Sequence, residues 1–252
     1  MDSDPPLPVP AVYGFDPIKL PISTPLVGSG TFGYVFRIST DRVLKVPKAY
    51  PEPEDAYINS VNLEDIQNEG NIYKRLGVHS GILRCFSVCD NSIELAFANQ
   101  GSLLHYMRET PIPGSQIRLD WILSLSDTFS YAHSQRVVVQ DIDLQNIVVH
   151  DGTLKLIDFG QSFLLPLDTD MDSFCVNETT LKMEILHLGC IFYSIATWTR
   201  FKYYYFDYGR FPLDGELPST KGVLGNEIID KCWNGEYASM DALAKDVLSY
   251  LT

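Results

Sequence analysis

No stretch of this chain is apolar for long enough to span a bilayer; the longest such run, around Leu186 to Trp198, is broken by polar residues. Basic charge is scarce too. The 19 Lys and Arg face 32 Asp and Glu, a net charge of -13, and this speaks against a nucleic-acid partner, because a polyanion is held by a concentrated basic surface. The five cysteines, Cys85, Cys89, Cys175, Cys190 and Cys232, are odd in number and lack zinc-like paired spacing. They read as reduced thiols of a cytoplasmic or nuclear protein. The opening MDSDPPLPVPAVYG is acidic and proline-rich, unlike a signal peptide, so residues 1–20 are expected to form a flexible arm. Repeats are lacking as well. What remains, 45% apolar and 20% charged over 252 residues, describes an ordinary globule, either one large domain or two lobes sharing a cleft.

The most informative stretch runs from Val139 to Gly160, VQDIDLQNIVVHDGTLKLIDFG. It offers an acid at Asp141, a carboxamide at Asn146, and an apolar hairpin turning at Asp151-Gly152 and ending in Asp158-Phe159-Gly160. Magnesium takes oxygen ligands, commonly one or two protein carboxylates completed by phosphate and water. Asn146 and Asp158 suit that duty, which leaves Asp141 to accept a proton.

Upstream, Val27 to Phe36 reads as a hairpin whose turn carries Gly28, Gly30 and Gly33. Glycines there admit phosphates to backbone N–H groups, although hairpins also use glycine for their own turns. Arg42 to Val46 is a short strand in which Lys45 either faces solvent or shares the face of Val43; periodicity leaves both open. Leu63 to Leu76 has apolar residues at helical spacing around Glu69, which on that pattern alone is an exposed helix glutamate. Two further strand-like runs lie between Gly81 and Phe97. Beyond residue 99 the pattern turns helical, with segments at Ser102 to Arg108, Gln116 to Gln135, Thr180 to Thr197, Gly225 to Cys232 and Met240 to Leu251.

This order of parts, from the glycine hairpin through the strand lysine, helix glutamate and Asp/Asn loop to Asp-Phe-Gly, resembles the eukaryotic protein kinase superfamily from about Leu26 to Leu251. The trimmed C-terminal pattern, KCWNGEY included, is similar to divergent kinase-like proteins of fungi. The resemblance implies an α+β, bilobal fold, with a β-rich N-lobe (21–97) containing one main helix and a larger helical C-lobe (99–252). It implies ATP and Mg2+ as ligands. Gly28, Gly30 and Gly33 would cover the phosphates; Val35 and Val43 would pack on adenine; Lys45, paired with Glu69, would hold the α- and β-phosphates. Lys48, beyond Pro47, is the rival lysine. Leu95 would be the gatekeeper, and the backbone of Ala96 and Ala98 would bond adenine. Asp141 would be the catalytic residue that orients or deprotonates the acceptor hydroxyl, Asn146 and Asp158 the metal ligands, and Tyr73, Phe159 and Val139 an apolar spine.

Several positions depart from the family pattern. Val139-Gln140 replaces His-Arg before Asp141, removing the arginine that grips a phosphorylated activation segment. Asp143 and Gln145 stand where family members place a cation, and losing one such charge costs roughly a hundred- to a thousandfold in rate. A carboxylate there costs more by repulsion unless it is turned away or paired, and a rise in activity on Asp143→Lys would locate the deficit. The Ala-Pro-Glu motif and its C-terminal arginine are both missing, which is tolerable for a buried ion pair as long as both members go. Glu184 replaces the aspartate that fastens the catalytic loop. The aromatic run Phe201 to Phe206 reads as packing of the larger lobe, with a docking surface as the alternative, and His105, His133 and His150 read as ordinary residues. The function implied is a slow Ser/Thr protein kinase, monomeric, with an unknown protein substrate or regulator; a nucleotide-binding pseudokinase and a small-molecule kinase are the alternatives.

Overall fold

A computed structural model describes residues 20, 21, 23–213 and 215–251; the arm expected over 1–20 lies outside them except for Leu20. Two compact units emerge. One comprises the described residues up to Val78 together with Arg84–Phe97 and Phe159–Gln161; the other comprises His79–Leu83, Ala98–Asp158 and the described residues from Ser162 onward. The class is α+β. No helix among the described residues is long and apolar enough to cross a membrane.

The first unit is an antiparallel five-stranded sheet in the order β1-β2-β3-β5-β4, built from β1 (Leu26–Ser29), β2 (Gly33–Arg37), β3 (Arg42–Pro47), β4 (Cys85–Cys89) and β5 (Ser92–Ala96). Along β3, burial alternates so that Val43, Lys45 and Pro47 face inward while Leu44 and Val46 are half-buried, as the pleat requires. Helix α1 (Ala56–Leu76) packs on this sheet through Ile66, Ile72 and Leu76. It starts seven residues before the expected Leu63. Its first turns escape the apolar pattern because their inward positions are asparagines: Asn59 accepts from Tyr50 N at 2.9 Å and donates to Tyr50 O at 2.9 Å, and Asn62 donates to Lys48 O at 3.0 Å. Basic Lys74 and Arg75 in the last turn and Gly77 at φ 60° close the helix.

The second unit is mainly helical: α2 (Leu103–Glu109), α3 (Ser115–Ser134), α4 (Leu181–Thr197), the short α5 (Tyr205–Tyr208), α6 (Asn226–Trp233) and α7 (Met240–Leu251). Helix α3 packs on α7, and the almost wholly buried α4 packs on α6. At the α4–α6 contact a Cβ on Gly189 would stand 2.7 Å from Cys232 Cβ and 3.0 Å from Trp233 Cδ1, so this seam needs glycine. The expected ribbon is present as β7 (Ile147–His150) and β8 (Thr153–Leu156), in register Ile147↔Leu156, with Asp151 and Gly152 at φ 50° and 74° in its turn. Strand β6 (Val137–Val138) pairs with β9 (Phe163–Leu164). A further hairpin, β10 (Cys175–Val176) with β11 (Thr179–Thr180), turns through Asn177 and Glu178 at φ 46° and 66°. It has no counterpart in the sequence reading, since two-residue strands leave no periodicity to detect.

Candidate active site

In the first unit the β1–β2 hairpin carries the three glycines. Gly33 is tight, its missing Cβ position lying 2.9 Å from Val46 O, whereas nothing lies within 4 Å of that position at Gly30. Next to the hairpin, Val35 is registered with Lys45 and Val43 with Leu95. The Ala96 amide donates to Arg84 O at 2.8 Å, so an adenine bond at Ala96 falls to its carbonyl oxygen. Ala98 belongs to the second unit.

Lys45 Nζ forms an ion pair with Glu69 Oε2. The Glu69 side chain is 0% exposed, so the helix pattern that made it a surface residue was misleading: this glutamate shares α1's buried side with Ile66, Ile72 and Tyr73. One turn before Glu69, Asp65 accepts from Gln161 Nε2 at 2.8 Å, and Asn68 donates to Gly160 O at 2.7 Å. A Cβ on Gly160 would collide with the Asp65 carboxylate. The ring of Tyr73 meets Phe159 edge-on at 5.1 Å and 88°. Two polar residues of α1, neither singled out from sequence, thus hold the Phe-Gly segment.

In the second unit Asn146 Nδ2 donates to both Asp141 O at 3.0 Å and Asp141 Oδ2 at 2.8 Å. The bond from Ile157 N to Asn146 O, 3.0 Å, closes the end of the ribbon, so Asp158 follows directly on the residue paired with Asn146. Asp158 is held at φ 63°, a left-handed conformation that costs a non-glycine residue about 1–3 kcal/mol. With its NH2 engaged on Asp141, Asn146 has its amide oxygen to offer a cation; that oxygen and the Asp158 carboxylate are hard donors fitting magnesium. Among the described residues no group of three or more His, Cys, Asp or Glu could hold a metal, so a cation here would complete its shell from phosphate or water.

The loop is fastened from α4. Glu184 Oε1 accepts from Val139 N at 2.8 Å, and Oε2 lies 2.8 Å from His133 Nε2. An ionised Glu184 takes the hydrogen on Nε2, which fixes the imidazole tautomer. The longer acid does reach. His133, read as ordinary, is its buried partner.

Asp143 is not left as bare negative charge. Its Oδ1 accepts from Gln145 N at 3.0 Å, and its Oδ2 lies 2.9 Å from Lys202 Nζ and 3.4 Å from Arg200 Nη2. Burial pushes this carboxyl upward, but the bonds from Lys202 and Gln145 and the charges of Lys202 and Arg200 outweigh it, so Asp143 titrates below its ordinary range. Lys202 Nζ is also 3.6 Å from Asp141 Oδ1.

Residues 23–199 match the family model for the protein kinase domain. The chain belongs to this family. Similar proteins include NUAK family SNF1-like kinase 1 of Mus musculus, 24% identical over 207 residues that cover 75% of this chain and 30% of the relative. Mitogen-activated protein kinase kinase kinase dlk-1 of Caenorhabditis briggsae is 27% identical over 114 residues, 43% of this chain and 13% of the relative. Serine/threonine-protein kinase kin-29 of Caenorhabditis elegans is 24% identical over 165 residues, 64% of this chain and 20% of the relative. The matched part spans under a third of the length of each of these relatives.

Within this protein kinase domain the structure joins Lys45 to Glu69 and Asp141 to Asn146, and lays Val35, Val43 and Leu95 across adjacent strands. Lys202 and Arg200 escaped sequence reasoning. They lie about sixty residues after the loop, Lys202 inside and Arg200 just before a run whose aromatics argued for packing or docking.

Proposed function

We propose that this chain transfers the γ-phosphoryl group of Mg-ATP to Ser or Thr hydroxyls of protein substrates, acting inside the cell as a monomer in the cytoplasm or nucleus. The observation that carries the reading is the buried Lys45–Glu69 pair. A buried ion pair is a poor stability device, since an apolar pair of similar volume serves as well or better; its presence at this register asks for a ligand that needs the lysine held in place. Lys45 so held grips the α- and β-phosphates, and the backbone N–H groups of the Gly28–Gly33 turn cover them. At Gly30 neither packing nor a left-handed φ calls for glycine, which supports close approach of a phosphate there.

Val35, Val43 and Leu95 pack on adenine, and the Ala96 carbonyl and Ala98 amide bond its edge. Asn146 and Asp158 hold magnesium, which when bound neutralises charge on the phosphate oxygens. Asp141, fixed by Asn146, takes the proton of the acceptor hydroxyl as its oxygen bonds to the γ-phosphorus and the bond to the bridging oxygen of ADP breaks.

The test is transfer of labelled γ-phosphate from Mg-ATP to the chain itself and to a histone mixture. Asp141→Ala and Asp158→Ala should fall to background, and equal incorporation by the parent and both variants refutes the reading. A second reading, nucleotide binding without transfer, is favoured by the short segment 161–183, which folds back through the β10–β11 hairpin. It predicts a thermal shift with Mg-ATP and no labelled product.

A further inference from the structure

Asp143 is a carboxylate whose side chain is only 9% exposed, standing two residues from the proposed catalytic base. A buried carboxylate must be compensated, and the compensating cation arrives from another part of the chain. Lys202 is well anchored for this. Phe201 N donates to Ser194 Oγ at 2.9 Å, and that hydroxyl, whose single hydrogen is shared between Cys190 O at 2.7 Å and Phe201 O at 3.1 Å, ties the segment to α4. The Phe201 ring packs on Tyr193 and Trp233 at centroid distances of 5.6 and 5.7 Å. On the other side Tyr203 is buried, its hydroxyl donating to Arg210 O at 3.1 Å. The lysine is therefore held from both neighbours, and its ammonium lies between two carboxylates, 2.9 Å from Asp143 Oδ2 and 3.6 Å from Asp141 Oδ1.

We propose that Lys202 is both a positioning and a catalytic residue for phosphoryl transfer, anchored by Asp143 so that its ammonium orients Asp141 and brings to the phosphoryl group the positive charge that the loop itself lacks. Asp141 is thereby engaged on both oxygens, Oδ2 by a hydrogen bond from Asn146 at 2.8 Å and Oδ1 by the charge of Lys202 at 3.6 Å. Of the ammonium's three N–H donors one bonds Asp143 Oδ2 at 2.9 Å, while Asp141 Oδ1 at 3.6 Å is an ion-pair contact outside hydrogen-bond reach, so a donor is left for a phosphoryl oxygen. The Lys202 side chain is 23% exposed, which leaves that donor a way to a substrate. Asp143, read alone as a charge of the wrong sign, becomes the anchor of a relocated cation. The proposal rests on the transfer reading above.

The experiment compares the full chain with D143N/K202M, K202R and the exchange D143K/K202D, measuring kcat and KM for ATP with a histone substrate and the melting temperature of each. D143N/K202M removes both charges together, so no buried charge is stranded. Its kcat should fall roughly a hundred- to a thousandfold, with KM for ATP and the melting temperature close to the parent's. K202R, which keeps both charges, should retain most of the parent's kcat. In the exchange a lysine at 143 takes the place of the ammonium beside Asp141, and kcat should recover to within roughly tenfold of the parent, an outcome a purely structural role would not produce. Parent-like kcat in a folded D143N/K202M, or an exchange as inactive as that pair, overturns the proposal and leaves the transfer reading standing. A parent no more active than Asp141→Ala overturns both.

Discussion

Glu184 offers the sharpest test of how the loop is held. Its side chain is 1% exposed and receives two hydrogen bonds, from Val139 N and from His133 Nε2, each at 2.8 Å. Glu184→Ala strands both donors in the interior at about 1–3 kcal/mol each, a total of about 2–6 kcal/mol against a typical domain stability of about 5–15 kcal/mol. Glu184→Gln differs. Its amide oxygen still accepts from Val139, and its NH2 meets a His133 ring that can move its hydrogen to Nδ1 and present a lone pair. That change should cost about 1 kcal/mol. All three tryptophans, Trp121, Trp198 and Trp233, lie in the same unit as Glu184, so urea unfolding followed by tryptophan fluorescence reports on the right part of the chain. With a slope of about 2–3 kcal/mol/M, a loss of about 4 kcal/mol lowers the midpoint by roughly 1–2 M. If Glu184→Gln proves as damaging as Glu184→Ala, the carboxylate acts through its charge and the hydrogen-bond account is wrong.

Asp143→Lys alone should lower activity, because Asp143 is paired and the new ammonium would face Lys202 and Arg200 where Asp143 now accepts from them; a histone phosphorylation assay showing a gain refutes this. Gly160→Ala should destabilise the first unit by about 1–3 kcal/mol, since its Cβ meets the Asp65 carboxylate, and an unchanged urea midpoint counts against the contact. Burial, with the charge of Lys202 adding to it, pushes His187 down to about 4, while in the unfolded chain it titrates near 6.5. Between those values only the unfolded chain gains a proton. Stability should therefore fall on acidification through that window, by about 3 kcal/mol in all, and His187→Leu should flatten the dependence of melting temperature on pH between 7 and 5. An equal slope in both proteins removes His187 as the cause.

Much of the framework was legible because it lies in short contiguous patterns. The Asp151-Gly152 turn between apolar runs gave the ribbon, and the spacing of Ile122, Leu125 and Phe129 gave α3. What stayed hidden depends on contacts between distant residues. Glu69 looked like a surface residue because an isolated helix pattern cannot show that a strand lysine, 24 positions away, comes to meet it. Asn59 and Asn62 concealed the start of α1 by filling buried positions with polar groups that bond to loop carbonyls. Lys202 was hidden furthest: its two acidic neighbours are 61 and 59 residues back in the chain, and its own surroundings are aromatic.

The Gly189 seam bears on how this chain answers to its surroundings. Related kinases are held together in their larger lobe partly by an acid-arginine pair, whereas here α4 and α6 close through a bare backbone position against Cys232 and Trp233. Ion pairing is screened as salt rises; apolar contact is not, but it loses strength as water cools. At this one seam, then, added salt should change little and cooling should weaken the contact, whereas the Lys231–Asp246 pair between α6 and α7 should answer to salt.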